Sequence, residues 1–284
     1  MSLVFNLIQG KTNAVKKVTS SDFTYAGTFS YVSSDGGGNW EIALLSGSNA
    51  EFKFKVNPGI VDIFMVGAGA PGTDGSKRYN SGNTFNYVTG GDGGLGAECK
   101  TIDTPLNAVK NTSYYVTIGT NGGDTFGFGY TAIGGSSAWA GDGEDPRLTG
   151  GRGAYSYGSG SYTGGKTERE AGNGKGDSLA HYAFNDANTE YNTGARYGAS
   201  GPGGGTSVYR TYSNGGRWIN DSPGTAYNGA GSGGSASSGA GGNGGDATAN
   251  TGAGGGGGGA GQNSTGDGGA GGSGIIILRN HRGA

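Results

Sequence analysis

Gly271-Gly272-Ser273-Gly274-Ile275-Ile276-Ile277-Leu278 closes the longest glycine tract of the chain on four consecutive large aliphatic residues. A disordered glycine tail has no use for three isoleucines in a row. A continuous apolar run of this kind suits a buried central strand. The chain therefore returns to a core after the tract, and the glycine segments are excursions from one framework. Residues 119–274 are read on this ground as loops and ordered glycine segments, with flexible glycine loops on a small β framework as the alternative.

Composition sharpens the question. Of 284 residues, 69 are glycine and 6 proline; apolar residues make up 32% and charged residues 14%. Ordinary domains carry about 45–50% apolar and about 25% charged residues, so an enzyme with a large aliphatic core is not expected. A net charge of −2 excludes both a highly charged tail and electrostatic nucleic-acid binding. Collagen needs glycine at every third position with abundant proline, and Ser264 breaks that period. One cysteine, Cys99, allows no intramolecular disulfide. The apolar start, Leu3 to Ile8, has no positive flank and is short, so neither a secretory leader nor a membrane span is expected.

Working outward from the C-terminal strand, period-two alternation marks the others. Phe23 to Tyr31 reads as one strand, Trp40 to Leu44 as another, and Asp35 to Asn39 as the turn between them. Phe52, Phe54 and Val56 alternate with Glu51, Lys53 and Lys55. Asn57-Pro58-Gly59 then turns the chain into the apolar run Ile60 to Val66, which reads as a hairpin. Tyr114 to Ile118 is a further strand, and Ala97 to Ile102 a weaker one. The expected class is all-β. It comprises a β region over 1–49 that serves attachment and a glycine-rich domain over 50–284 with exposed loops at about 151–229.

Ordered glycine has one good precedent in physics. Polyglycine can form an extended left-handed helix with three residues per turn, the geometry of polyproline II. Glycine keeps its N–H, so such helices can hydrogen-bond laterally and pack with no side chains between them. Ordering a glycine costs about 0.5–1 kcal/mol more than ordering an alanine. Stacked polyglycine II-type helices are expected only if lateral bonds and dense packing offset that cost.

Several motifs fail on context. Gly67-Ala68-Gly69-Ala70-Pro71-Gly72 fits the dinucleotide fingerprint after a strand, yet no helical period follows it. Gly241 to Asp246 starts like a calcium-binding nonapeptide, but Thr248 stands where a large apolar residue is required and no tandem copy exists. Two histidines, His181 and His281, and one cysteine draw no zinc site. Asp177 to Phe184 reads as a short helix capped by Asp177, with His181 at its surface. Asp142, Glu144, Asp145, Glu168 and Glu170 read as solvated loop charges. No catalytic residue, metal or cofactor is expected.

The informative signal is aromatic. Nine of the 16 tyrosines fall within 151–229: Tyr155, Tyr157, Tyr162, Tyr182, Tyr191, Tyr197, Tyr209, Tyr212 and Tyr227, with Trp218 among them. Their neighbours are Gly, Ser, Asn, Thr and Arg, the chemistry of antibody paratopes, where tyrosine gives wide contact area at low entropy cost. These ten residues are the candidate receptor-binding set. Their other reading is as the bulky walls of the glycine helices.

The order of these pieces resembles a recurring glycine-rich domain of phage and prophage proteins. That pattern has a Trp-containing strand ending in Leu-Leu-Ser-Gly (here Trp40 to Gly47), then an apolar strand running into glycines (Val61 to Gly69). Next comes a strand like Tyr115 to Gly119, and the pattern closes on Gly271 to Ile277. The architecture is similar to the tail-fibre tip adhesins of T-even-like phages, from which this chain departs by its N-terminal β region and less regular tracts. The resemblance implies a non-enzymatic virion protein, made in the host cytoplasm and released by lysis, that binds a host-surface glycan or protein. It also implies virion partners held through the N-terminal region, homo-oligomers, and no nucleic acid or membrane insertion. A decoration protein without a receptor and a tail-associated glycan-degrading enzyme are the alternatives.

Overall fold

The computed structural model describes residues 17–34, 38–79, 85–135, 155–157, 181–212 and 215–282. Every regular element in them is a strand, apart from one 3-10 turn at Ala183–Asn185. The fold is all-β.

Ile275–Asn280 lies in the middle of an antiparallel sheet, between Trp40–Ser46 and Gly59–Val66. Thr28–Ser33 pairs with the outer side of Trp40–Ser46, and Cys99–Thr101 and Leu106–Ala108 pair with Gly59–Val66. Neighbouring residues of a strand point to opposite faces, and here both faces are covered. Ile276 and Leu278 join Ile42, Leu44, Ile63 and Met65 in one core; Ile275 and Ile277 join Phe64, Val66, Phe184 and Tyr197 in another. This two-sided burial is why the strand is apolar at four successive positions.

A second sheet, Phe23–Tyr25, Ala50–Phe54 and Ser113–Val116, covers the first core with Phe52 and Phe54. Three sequence expectations change here. Phe52 to Val56 and Ile60 to Val66 do not form a hairpin: Ala50–Phe54 and Gly59–Val66 belong to different sheets. Asn57-Pro58-Gly59 carries the chain from one layer to the other, because each strand has an apolar face to bury against its neighbour layer. The alternating run Phe23 to Tyr31 is two strands in two sheets, broken at Gly27, where a Cβ would meet the Ser46 carbonyl and the Tyr25 ring. The expected boundary at 49/50 is crossed by hydrogen bonds between Trp40–Ser46 and Ile275–Asn280, and the two sides share both cores.

Three strands of the central sheet continue directly into glycine. Beyond Val66, Gly69 and Gly72 donate to the carbonyls of Gly272 and Gly269, so the pairing with the C-terminal strand persists but now recurs every third residue. On the other side, Gly91, Gly94 and Ala97 donate to Gly258, Gly255 and Gly252.

Gly254 to Gly259 forms the axis of the resulting bundle. Its N–H groups leave in three directions. Gly254 and Gly257 donate to Ala199 and Pro202, Gly255 and Gly258 to Ala70 and Thr73, and Gly256 and Gly259 to Gly245 and Gly242. Its carbonyls leave in three more, accepting from Gly231 and Gly234, from Gly94 and Gly91, and from Gly269 and Gly266. Six segments therefore surround the axis, and every backbone polar group of the six glycines is paired, as buried backbone requires. A Cβ on any of the six would lie under 3.0 Å from a neighbouring carbonyl. No other residue fits at this spacing.

The dinucleotide-like run at Gly67 is one of the surrounding segments and leads into a strand, Ser76–Tyr79; the nonapeptide-like run at Gly241 is another surrounding segment. Of the expected helix at Asp177 to Phe184, residues 177–180 lie outside the described part. His181–Tyr182 is extended and pairs with Arg196–Tyr197.

Candidate functional site

At the end of the bundle away from the sandwich, the segment ending at Gly205 runs straight into Thr206–Tyr212, which forms an antiparallel hairpin with Gly215–Asp221. Thr206 and Ser207 also pair in parallel with Ala260 and Gly261, just past the axis. The hairpin is thus rooted in the bundle. Tyr209 stands opposite Trp218, and Ser207 opposite Asn220. Residues two apart in a strand share a face, so both pairs lie on one side of the ribbon.

Tyr209 and Trp218 meet edge to face, with ring centroids 5.3 Å apart and planes at 67°. Tyr209 is 42% exposed. Its ring crosses Gly216, and the Trp218 ring lies against Gly239; a Cβ at either glycine would strike the ring. Glycine thus lays the floor on which both aromatic planes stand. Around them, the Tyr209 N–H donates to Gln262 Oε1 at 3.0 Å, and Ser207 Oγ donates to Asn220 Oδ1 at 2.6 Å. Ser207 Oγ also accepts the Gly239 N–H at 3.0 Å.

The other members of the aromatic set divide. Tyr155–Tyr157 pairs with Phe85–Thr89 and lies beside Thr206–Tyr212, so its backbone belongs to the same end. Tyr212 pairs with Gly215 at the hairpin turn. Tyr162 lies outside the described residues. Tyr227 is exposed, two residues before Gly229, which neighbours Thr248 and Thr251.

Tyr182, Tyr191 and Tyr197 sit instead at the sandwich. Tyr182 is half-buried beneath the Arg196 guanidinium, 4.8 Å from its ring centre. Tyr191 packs partly against the second core. Tyr197 is 1% exposed, 5.3 Å from the Phe64 ring, and burial raises its hydroxyl far above the usual range. Its assignment to a contact surface is corrected: Tyr197 is a core residue, because the chain returning from the loops covers the Ile275 face of the sheet. Sequence reasoning also missed Ser207, Asn220 and Gln262. The spacings Ser207 to Tyr209 and Trp218 to Asn220 carried a signal for the first two, whereas Gln262 is brought in by the bundle.

A second polar cluster flanks the C-terminal strand. Glu41 is wholly buried and accepts the Tyr191 N–H at 2.8 Å. Arg282 Nη2 lies 2.5 Å from Glu190 and 3.7 Å from Glu41. Burial first, then the neighbouring Glu190, raises the Glu41 carboxyl to about 7. Burial also raises Glu190, but Arg282 and Glu41 outweigh it and hold that carboxyl below its ordinary value. Arg279 bonds Asp62 and stacks on Phe184, 3.9 Å from the ring centre, while His281 Nδ1 is 2.6 Å from Asp62. These contacts tie residues 184–191 to the sheet.

A cavity of about 610 Å³ opens between Leu45 to Ser48 and Thr117 to Thr120. Two of its polar side chains serve the fold: Thr117 Oγ1 takes the Asn49 N–H and Asp124 Oδ1 the Gly134 N–H. Among the described residues no cluster of His, Cys, Asp or Glu is arranged to hold a metal ion, and no helix is long and apolar enough to cross a membrane. The carboxylates at 142–145 and 168–170 lie outside those residues.

No curated protein matches the chain. A family profile described as a glycine-rich domain matches residues 45–281, which take in Gly59–Val66, Ile275–Asn280, the whole bundle and the hairpin; the chain belongs to this glycine-rich domain family.

Proposed function

We propose that this chain is a phage virion protein, a tail or fibre-tip component that binds a receptor on the host surface. In this reading the bundle is a stack of polyglycine II-type helices that serves as a rigid mount. The β-sandwich joins other virion proteins, and the hairpin end meets the host. The observation that carries it is the pairing of exposed Tyr209 with partly exposed Trp218 on a ribbon rooted in a bundle whose axis has all its backbone groups paired. Rigid aromatic anchors lose little entropy on binding, and a mount without soft side chains keeps them in place. No catalytic step is assigned.

Two measurements test this. Antibody against the chain, imaged on intact particles, should mark a tail or fibre end. The purified protein should compete with particles for host cells. Labelling over the head, with no competition, would favour a decoration protein instead.

A further inference from the structure

We infer that the hairpin face binds a saccharide, with Tyr209 and Trp218 stacking on sugar C–H faces and the Asn220 and Gln262 amide NH2 groups donating to sugar hydroxyls. This deepens the receptor-binding reading and rests on it.

Each of the two carboxamides already has its oxygen in use. Ser207 Oγ accepts the Gly239 N–H, so its single proton is free to go to Asn220 Oδ1. The Asn220 oxygen is therefore occupied and its NH2 is left over. The Tyr209 backbone N–H is a donor only, so the atom of Gln262 that it meets is the oxygen. Again the NH2 is left over. Neither NH2 has a partner among the described residues; Asn220 is exposed and Gln262 partly so. Two donors are thus held in fixed orientation beside two ring planes.

A sugar ring matches that pattern. Its C–H face is apolar enough to lie on an aromatic ring, and its rim carries hydroxyl oxygens that accept from NH2 groups. Planes at 67° give successive rings of an oligosaccharide two differently tilted platforms. The scale also fits. The two cross-strand pairs are two residues apart, about 7 Å along the ribbon, the length of one or two sugar rings. A protein partner needs roughly 800 Å² of matched surface on each side, whereas the two rings and two amides are grouped around two residue pairs of one ribbon.

The test uses the full chain on an array of bacterial surface polysaccharides and on the intact bacteria that carry them, before and after periodate oxidation. Asn220→Asp and Gln262→Glu keep an oxygen for Ser207 and for the Tyr209 N–H, so both should fold; each replaces the spare donor with an acceptor. Binding to polysaccharide that falls about tenfold in each variant, together with loss of cell binding after periodate, is the expected result. Cell binding that survives periodate but not protease would overturn the saccharide inference and leave a protein receptor. Binding to neither polysaccharide nor cells would overturn both readings. Polysaccharide binding unchanged in both variants would remove the hairpin face from the contact.

Discussion

Val66 faces Ile275 in the last antiparallel pair before both strands enter the glycine bundle. Three residues on, the partnership continues as Gly69 N–H to Gly272 carbonyl. The same two chain segments thus pass from a sheet with a two-residue period to a bundle with a three-residue period without parting. The sandwich core fixes their register, and the bundle carries that register to the hairpin.

Gly257→Ala is expected to prevent folding or to destabilise by more than about 3 kcal/mol, beyond the usual range for core overpacking. The added Cβ would meet the Gly91 carbonyl, which belongs to backbone held on several sides. Gly129→Ala is the control. A Cβ there has nothing within 4 Å, but φ is +85°, so the cost is left-handed strain of about 1–2 kcal/mol. Thermal melts of both variants check this. Equal, small shifts would mean that the axis has room that the hydrogen bonds do not suggest.

The bundle rim offers a milder perturbation. Asn243 Oδ1 accepts the Asp267 N–H at 3.0 Å, and Asp246 Oδ1 the Ala270 N–H at 2.7 Å. Both acceptors are three residues apart, as are both donors, so side chains replace backbone carbonyls where the outer segments have no further neighbour. Alanine at either position should cost about 1 kcal/mol and speed amide exchange at its partner alone. Exchange that accelerates across the axis as well would show that the rim caps hold the bundle together.

Glu41 gives a pH dependence whose sign is fixed. Its carboxyl titrates at about 7 in the folded chain because burial disfavours the charge, against roughly 4.3 when unfolded. Between those values the folded state binds more protons than the unfolded state. The stabilising contribution is therefore full below about pH 4.3 and is lost as pH rises towards 7. Melting temperature should fall from pH 5 to pH 8, and Glu41→Gln should flatten that fall and raise the value at pH 8. A melting temperature that rises with pH in the wild type would contradict the assignment.

How far the sequence shows this structure depends on the length scale of each signal. Ile275 to Leu278 announces a two-sided buried strand, because only such a strand needs four large aliphatics together. The interface of two layers at Asn57-Pro58-Gly59 is not legible: a turn between two alternating strands reads the same whether the strands pair or stack. Glycine composition shows that close packing is possible, yet not which six segments surround Gly254 to Gly259, since glycines carry no side-chain pattern to set a register. Within the aromatic set, density in sequence does not distinguish Tyr209 on the hairpin from Tyr197 under the sheet. That difference is made by the chain path, which returns to the core at residues 183–197.

The proposed receptor contact should rest on aromatic stacking, not on charge. The chain has a net charge of −2, and the hairpin sequence carries Arg210, Arg217 and Asp221, so no single sign dominates. Steering by such a mixture is weak, and it fades over about 8 Å at physiological salt. Buried Tyr and Trp anchors typically cost about 2 kcal/mol or more when truncated at a hot spot, which is roughly 30-fold in affinity. Tyr209→Ala with Trp218→Ala should therefore reduce attachment to host cells by at least that factor. Raising salt from 0.15 M to about 0.5 M, which shortens the screening length, should change it far less. Tyr209 is 42% exposed and Trp218 rests on Gly239 outside both cores, so the double variant should keep a cooperative melt near that of the wild type. Attachment that survives in the double variant, or that disappears with salt alone, would move recognition away from this hairpin.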